Sequence, residues 1–294
     1  MKKKIKIAGV AALIVLLTTS IGFNIYFAFF SWDSYLQSTD EIYIMEAGIL
    51  RNNLEFAEGE TFSFEYDFDN TEYPELIEKY GIDKTAGNGS EFEKALNLMN
   101  EYAPRLKHKS NYDNSVEMNA LSLLEHSLDN PNNGINCRNK AQILNEMCLA
   151  LGIYSRKVWI LPNSGYDNDC HVVNEIWDSS LNKWIMLDIT NNQYWIDENR
   201  EPLSVIEIRE KGALREFCTP VTVGQDLGDL DRLKEKNIGS FLYIMKNMLY
   251  MYACDVQTVG ETEIEYMLFP DNLPTDYEYL ISESAWDKSP ESEE

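Results

Sequence analysis

The sequence predicts an α+β fold, with one helix leading into antiparallel strands, behind an N-terminal membrane segment. Three patterns predict it. Ala141, Leu144, Cys148 and Leu151 recur at helical spacing, and Gly152 is a natural stop. The segments Cys170-His171-Val-Val-Asn-Glu-Ile-Trp177 and Trp184-Ile-Met-Leu-Asp188-Ile-Thr190 flank a polar turn at 178–183 and read as a hairpin. Residues 7–30 carry no charge and follow Lys2, Lys3, Lys4 and Lys6.

A helix needs ~20 apolar residues to cross a bilayer, and flanking lysines favour the cytoplasmic side. Residues 1–31 are therefore expected to form a signal anchor, with the remainder extracytoplasmic. A cleaved signal peptide is the competing reading. Thr18-Thr19-Ser20 is a poor cleavage site, and apolar character runs on to Phe30, which favours the anchor. The first cysteine is Cys137, far from this run, which disfavours a lipoprotein.

The 294 residues hold 25 basic and 49 acidic side chains, a net charge of −24. Beyond residue 30 the balance is 21 bases against 49 acids. Nucleic acid is thereby excluded as a partner, because phosphate binding needs clustered Lys and Arg. A hydrophobic content of 44% is ample for a packed core. Five cysteines are too few for a disulfide-stapled mini-protein.

Four regions are expected: the anchor at 1–31, an N-terminal extension at 32–89, a core at 90–215 and an acidic C-terminal extension at 216–294. In the first extension, residues 61–68 alternate strictly, with Phe62, Phe64, Tyr66 and Phe68 on one face of an expected strand. Cross-strand packing explains such a ladder better than ligand stacking. Ser90 and Glu93 have capping-box spacing and open a helix. A second helix is expected at 116–128, followed by the turn cluster Asn130-Pro-Asn-Asn-Gly134. Past the core, 241–252 is apolar and methionine-rich, 263–268 reads as an edge strand, and the Ser/Glu/Pro-rich tail at 282–294 is expected to fray.

The chemistry concentrates between Gly134 and Asp188. Cys137 falls where the predicted helix begins. Unpaired N–H groups and the positive dipole end favour a thiolate there, and Arg138 and Lys140 add positive charge. Cys148 lies on the apolar stripe and reads as a core residue. If Ser179 and Ser180 centre the hairpin turn, His171 faces Asp188. A four-residue turn at 179–182 instead places Asp188 opposite Val173 and diagonal to His171. Both registers put imidazole and carboxylate on one sheet face within reach. Alternation sends Cys170 to the other face. Cys137, His171 and Asp188 are thus the parts of a nucleophilic site: sulfur, proton carrier and orienting carboxylate. His108 and His126 lack such a setting. No spacing suits a metal, and the chemistry requires no cofactor.

These motifs resemble the transglutaminase-like superfamily, and with the N-terminal run suggest a bacterial, membrane-anchored member. The resemblance rests on Gly134-x-x-Cys137 with Ala141 and Leu144, on Leu151-Gly-Ile-x-x-Arg156-x-Val158, and on His171-Val-Val-Asn-Glu-Ile-Trp177 with Lys183-Trp-Ile-Met-Leu-Asp188. It covers about 90–209 most strongly. It implies a papain-like core, with the nucleophile on a helix and its partners on an antiparallel sheet. It implies Cys137 as nucleophile, His171 as base and acid, and Asp188 as orienting residue. The usual Asp-Pro after the third strand is Asp188-Ile189 here. The expected substrate is a protein or peptide carboxamide. Crosslinking, deamidation, proteolysis and a catalytically silent scaffold all remain open. So does a structural disulfide, with Cys218 and Cys254 as the favoured pair.

Overall fold

The computed structural model describes residues 2–130, 132–162, 164 and 167–291, without the side chains of 2–12, 28–30, 32 and 33. The expected contribution of Pro131 to its turn, and residues 292–294 of the tail, lie outside the described residues. The chain divides into two compact units, 1–45 and 46–294. Helix α1 (Lys2–Asn52) makes up the first and opens the second. In the first unit, large apolar side chains from Leu13 through Phe27 are exposed. Among the described residues, no helix is long and apolar enough to cross a membrane. The expected membrane segment at 7–30 falls partly outside them, since the side chains of 7–12 and 28–30 are not described.

The second unit continues with β1 (Glu65–Tyr66), α2 (Tyr73–Tyr80), α3 (Ile82–Ala86), α4 (Glu91–Tyr102), α5 (Ala120–Asp129) and α6 (Cys137–Ala150). Strands β2 (Ser155–Leu161), β3 (His171–Asp178), β4 (Lys183–Asp188) and β5 (Gln193–Asp197) follow. Then come α7 (Val205–Leu214), β6 (Cys218–Thr222), α8 (Leu230–Lys236), α9 (Ile238–Lys246), β7 (Tyr250–Cys254), β8 (Val256–Gln257), β9 (Glu265–Leu268) and α10 (Glu283–Trp286). The main sheet is antiparallel, in the order β6-β5-β4-β3-β2-β7-β9. This is the helix-and-antiparallel-sheet arrangement expected of the core. The region beyond 215, which the sequence motifs leave unassigned, adds β6, β7 and β9 to the same sheet.

Helix α4 opens with the anticipated box, Ser90 Oγ accepting from Glu93 N–H and the Glu93 carboxylate accepting from Ser90 N–H. Leu98 and Met99 of α4, Leu123 and Leu124 of α5, and Leu144 and Met147 of α6 share one core with Ile176, Ile185 and Leu187 of the sheet. Pairing of Asn174 with Leu187 and Trp177 with Trp184 selects the four-residue hairpin loop. Its last residue, Asn182, is left-handed at φ 52°. Asp188 is therefore diagonal to His171. Strand β9 lies at the sheet edge, as expected for 263–268.

Two expectations fail. Only Glu65 and Tyr66 of 61–68 form a strand, paired in parallel with the two-residue β8. The aromatics pack nonetheless: Phe62 on Tyr266 at 4.0 Å, and Tyr66 and Phe68 edge-on to Tyr154 at 5.1 and 5.0 Å. The tail does not fray at 282. Ser282 caps α10, and Trp286 is fully buried. The polar composition there conceals one large aromatic that the sheet receives.

The receiving group is Arg156 on β2. Its guanidinium lies 4.0 Å from the Trp184 ring and 4.6 Å from Trp286, and its Nη1 donates to the Trp286 carbonyl at 2.7 Å. Nε and Nη2 donate to Glu175 Oε2 across the β2–β3 pair at 3.0 and 2.7 Å. Glu175 Oε1 accepts the Val205 N–H that opens α7, at 2.8 Å. Both side chains are buried, so neither charge can be left alone without a large desolvation cost. Glu175→Ala is expected to lower unfolding stability by about 3–5 kcal/mol, read as a reduced urea midpoint with unchanged slope.

Candidate active site

The site is assembled from element ends. Cys137 is the first residue of α6, His171 the first of β3 and Asp188 the last of β4. Helix α6 starts there because Asn136 caps it. Asn136 Oδ1 accepts from Asn139 N–H and Asn139 Oδ1 accepts from Asn136 N–H, each at 3.1 Å. Gly134 is required just upstream. A Cβ on it would meet Lys109 Cβ at 2.7 Å, because 107–109 runs beside Ile135. Helix and sheet are pinned together where Asn174 Nδ2 donates to the Ala141 carbonyl at 3.0 Å.

The three expected residues converge. His171 Nε2 lies 2.9 Å from Asp188 Oδ2. The imidazole and the Cys137 thiol line the same cleft, and each shifts the other's titration. The backbone N–H groups of Val172 and Arg138 also act to lower the thiol. Asp188 is held in turn by the hairpin exit. Its Oδ1 accepts from Thr190 N–H at 2.9 Å and Asn191 N–H at 3.2 Å, and its Oδ2 from Asn191 Nδ2 at 2.7 Å. This turn fixes the carboxylate.

Electrostatics favour an ion pair. Burial raises the Cys137 thiol, but the His171 hydrogen bond and charge and the two backbone donors outweigh it, leaving the thiol below its usual value. Burial lowers His171, yet Asp188 and the sulfur together push the imidazole well up. Burial raises Asp188, and the imidazole and Asn191 hold it below the ordinary carboxylate range. Of the two expected cations, Arg138 is tied to Glu261 through Nε at 2.9 Å and through Nη2. Lys140 is buried and faces Asp188 and Cys137. Burial lowers its pKa against those two negative groups.

A cleft of about 720 Å³ opens over Cys137 and His171. Trp159, Tyr243, Asn114 and Asp169 line it, and the Tyr243 ring sits edge-on to His171 at 5.3 Å. His108 lines it too, contrary to the sequence expectation. The bridge of His108 to Ile135 brings it there. The one hint in the sequence is Gly134, whose missing side chain admits that neighbour. Cys170 precedes β3 rather than joining it, so strand alternation does not govern it. It is exposed and lines the same cleft. His126 stays apart, with its ring against Tyr112 at 5.4 Å. All five cysteines are free, including Cys218 and Cys254. Burial pushes Cys148 and Cys218 up to about 12. Among the described residues, no three His, Cys, Asp or Glu side chains are grouped to hold a metal ion.

A thiol at a helix start, backed by imidazole and carboxylate on an antiparallel sheet, is the arrangement of the papain-like class. Residues 78–189 match the model of the transglutaminase-like superfamily, whose members are generally Cys–His–Asp enzymes. The match ends just past Asp188 and contains Cys137 and His171. No curated protein and no solved structure matches the chain.

The ion pair sets the pH response of the thiol. A free thiol of pKa ~8.5 loses reactivity about tenfold per pH unit below that value. With the Cys137 pKa depressed, the fall in iodoacetamide alkylation of Cys137 is expected at a lower pH than for a free thiol. His171→Ala removes the largest lowering influence and moves that fall to higher pH. Mass-spectrometric alkylation rates across pH check both, and an ordinary-thiol profile in the unsubstituted protein refutes the ion pair.

Proposed function

We propose that this chain is an extracytoplasmic thiol enzyme that acts on carboxamide or peptide bonds through a thioester. The observation that carries the reading is the placement of the His171 imidazole between Asp188 and the Cys137 thiol, with opposed pKa shifts on thiol and ring. The thiolate lone pair attacks the carbonyl carbon and forms the C–S bond. The C=O pair moves onto oxygen and then returns, breaking the C–N bond. The His171 imidazolium protonates the leaving ammonia or amine. An amine or water then gives up a proton to His171 and attacks the thioester, releasing Cys137. Asp188 keeps the ring oriented and balances its charge.

An amine acceptor makes the protein a transglutaminase. Water makes it a deamidase or, with a peptide bond, a protease. The extracytoplasmic location rests on the lysine-flanked uncharged run at 7–30 and on the exposed apolar side chains of 13–27. On this reading the run anchors the chain in the membrane.

The test is three assays on the full chain: amine incorporation into a glutamine-rich protein, ammonia release and peptide cleavage. At least one is expected to be positive and to vanish in Cys137→Ala. Asp188→Asn is expected to lower the rate at least about a hundredfold while the fold survives. Silence in all three, with Cys137 alkylated no faster than a free thiol, would leave a non-catalytic surface protein as the correct reading.

A further inference from the structure

Attack on a carbonyl puts negative charge on its oxygen, and the rate depends on donors already aimed at that position. The N–H of Cys137, at the helix start, is one donor. We infer that Asn114 is the other: its side-chain Nδ2 donates to the carbonyl oxygen of the group being transferred to Cys137. The inference rests on the reading of Cys137 as nucleophile.

The argument is an accounting of amide hydrogen bonds. Oxygen and nitrogen of an asparagine side chain are normally assigned from their partners. Here the partners leave one assignment. Asn136 and Asn139 have each given their side-chain oxygen to the other's backbone N–H in the cap of α6. Only their NH₂ groups remain available. Both donate to Asn114 Oδ1, from Asn136 at 3.3 Å and from Asn139 at 3.1 Å. The second hydrogen of the Asn139 amide goes to Met118 Sδ at 3.2 Å. Two donors whose identity is fixed by the helix cap therefore fix the oxygen of Asn114. What remains is its Nδ2, which has no protein acceptor among the described residues.

Asn114 is exposed and lines the cleft together with Asn136, Cys137 and His171. Its backbone is left-handed at φ 52°, a conformation that asparagine tolerates better than most residues and that costs some stability. The same cap thus does two jobs. It starts the helix that carries the sulfur, and it occupies the oxygen of a cleft-lining amide, leaving the donor end of that amide without a protein partner among the described residues. In the step, the thiolate pair forms the C–S bond, the carbonyl π pair moves to oxygen, and Asn114 Nδ2–H and Cys137 N–H hold that oxygen until the amine leaves with the proton of His171.

The test separates reactions that make an oxyanion from one that does not. Iodoacetamide alkylates the thiolate by displacement at a saturated carbon. p-Nitrophenyl acetate acylates it through a tetrahedral oxyanion. Asn114→Asp keeps the oxygen that accepts from Asn136 and Asn139 and loses the donor. Asn114→Gly keeps the left-handed backbone and adds no charge. In the full chain, both variants are expected to alkylate at Cys137 within about threefold of the unsubstituted rate, while acylation falls about 100-fold. Alkylation measured across pH in Asn114→Asp separates any effect of the new carboxylate on the thiol. Acylation within threefold of the unsubstituted rate in both variants overturns the assignment and leaves the nucleophile reading standing. So does a parallel fall of acylation and alkylation in both. Absence of Cys137-dependent acylation in the unsubstituted protein overturns both readings at once.

Discussion

The bond between the His171 imidazole and the Asp188 carboxylate is the interaction on which the rest of the structure depends. A carboxylate with 1% exposure is tolerable only if every lone pair finds a donor. Here the donors are the imidazole, two backbone N–H groups and the Asn191 amide. Three of these four come from the turn that ends β4. The hairpin register then decides where the fourth must stand. A shift of one residue in that register would turn Asp188 to the opposite sheet face and leave a bare charge in the core.

Buried charge recurs on the sheet as a means of joining elements distant in sequence. Arg156 ties β2 to β3 through Glu175 and to the chain's end through the Trp286 carbonyl. Lys157 meets Glu261, which also holds Arg138 beside Cys137. Glu146 accepts the N–H of Ala120 at 2.9 Å and that of Gly260 at 3.2 Å, joining α5 and the 260 loop to α6. Its carboxyl rises to about 7, chiefly through burial. Each link costs desolvation and gives back position more than stability. The arrangement suits a protein whose site is assembled from a helix start, a strand start and a strand end.

The region after 215 does more than extend the chain. Strands β7 and β9 continue the sheet beyond β2, and α9 places Tyr243 edge-on to His171. One wall of the cleft is therefore built by residues that lie outside the part matching the superfamily. Cys137, His171 and Asp188 belong to the matched segment, whereas the shape of the cleft is partly the work of the flank.

Local chemistry was legible in the sequence wherever a short-range rule governs it. Apolar period, a stop at Gly152, the Ser90 capping box, hairpin alternation and the sulfur at a helix start all follow from residues a few positions apart. His171 and Asp188 could be placed on one sheet face because side-chain direction along a strand has a period of two. The sequence could not choose between the two turn lengths, since both satisfy that parity. It also misjudged 61–68 and 282–291, where alternation and composition looked decisive. Whether a strand forms depends on a neighbouring backbone with free donors, and whether a tail is ordered depends on a cavity for its one tryptophan. His108 and Asn114 reach the cleft only because Gly134 admits a second backbone and because the α6 cap sends its spare donors outward. Such placements come from contacts across long stretches of chain. Those contacts exist only once the tertiary structure brings the partners together and removes them from water.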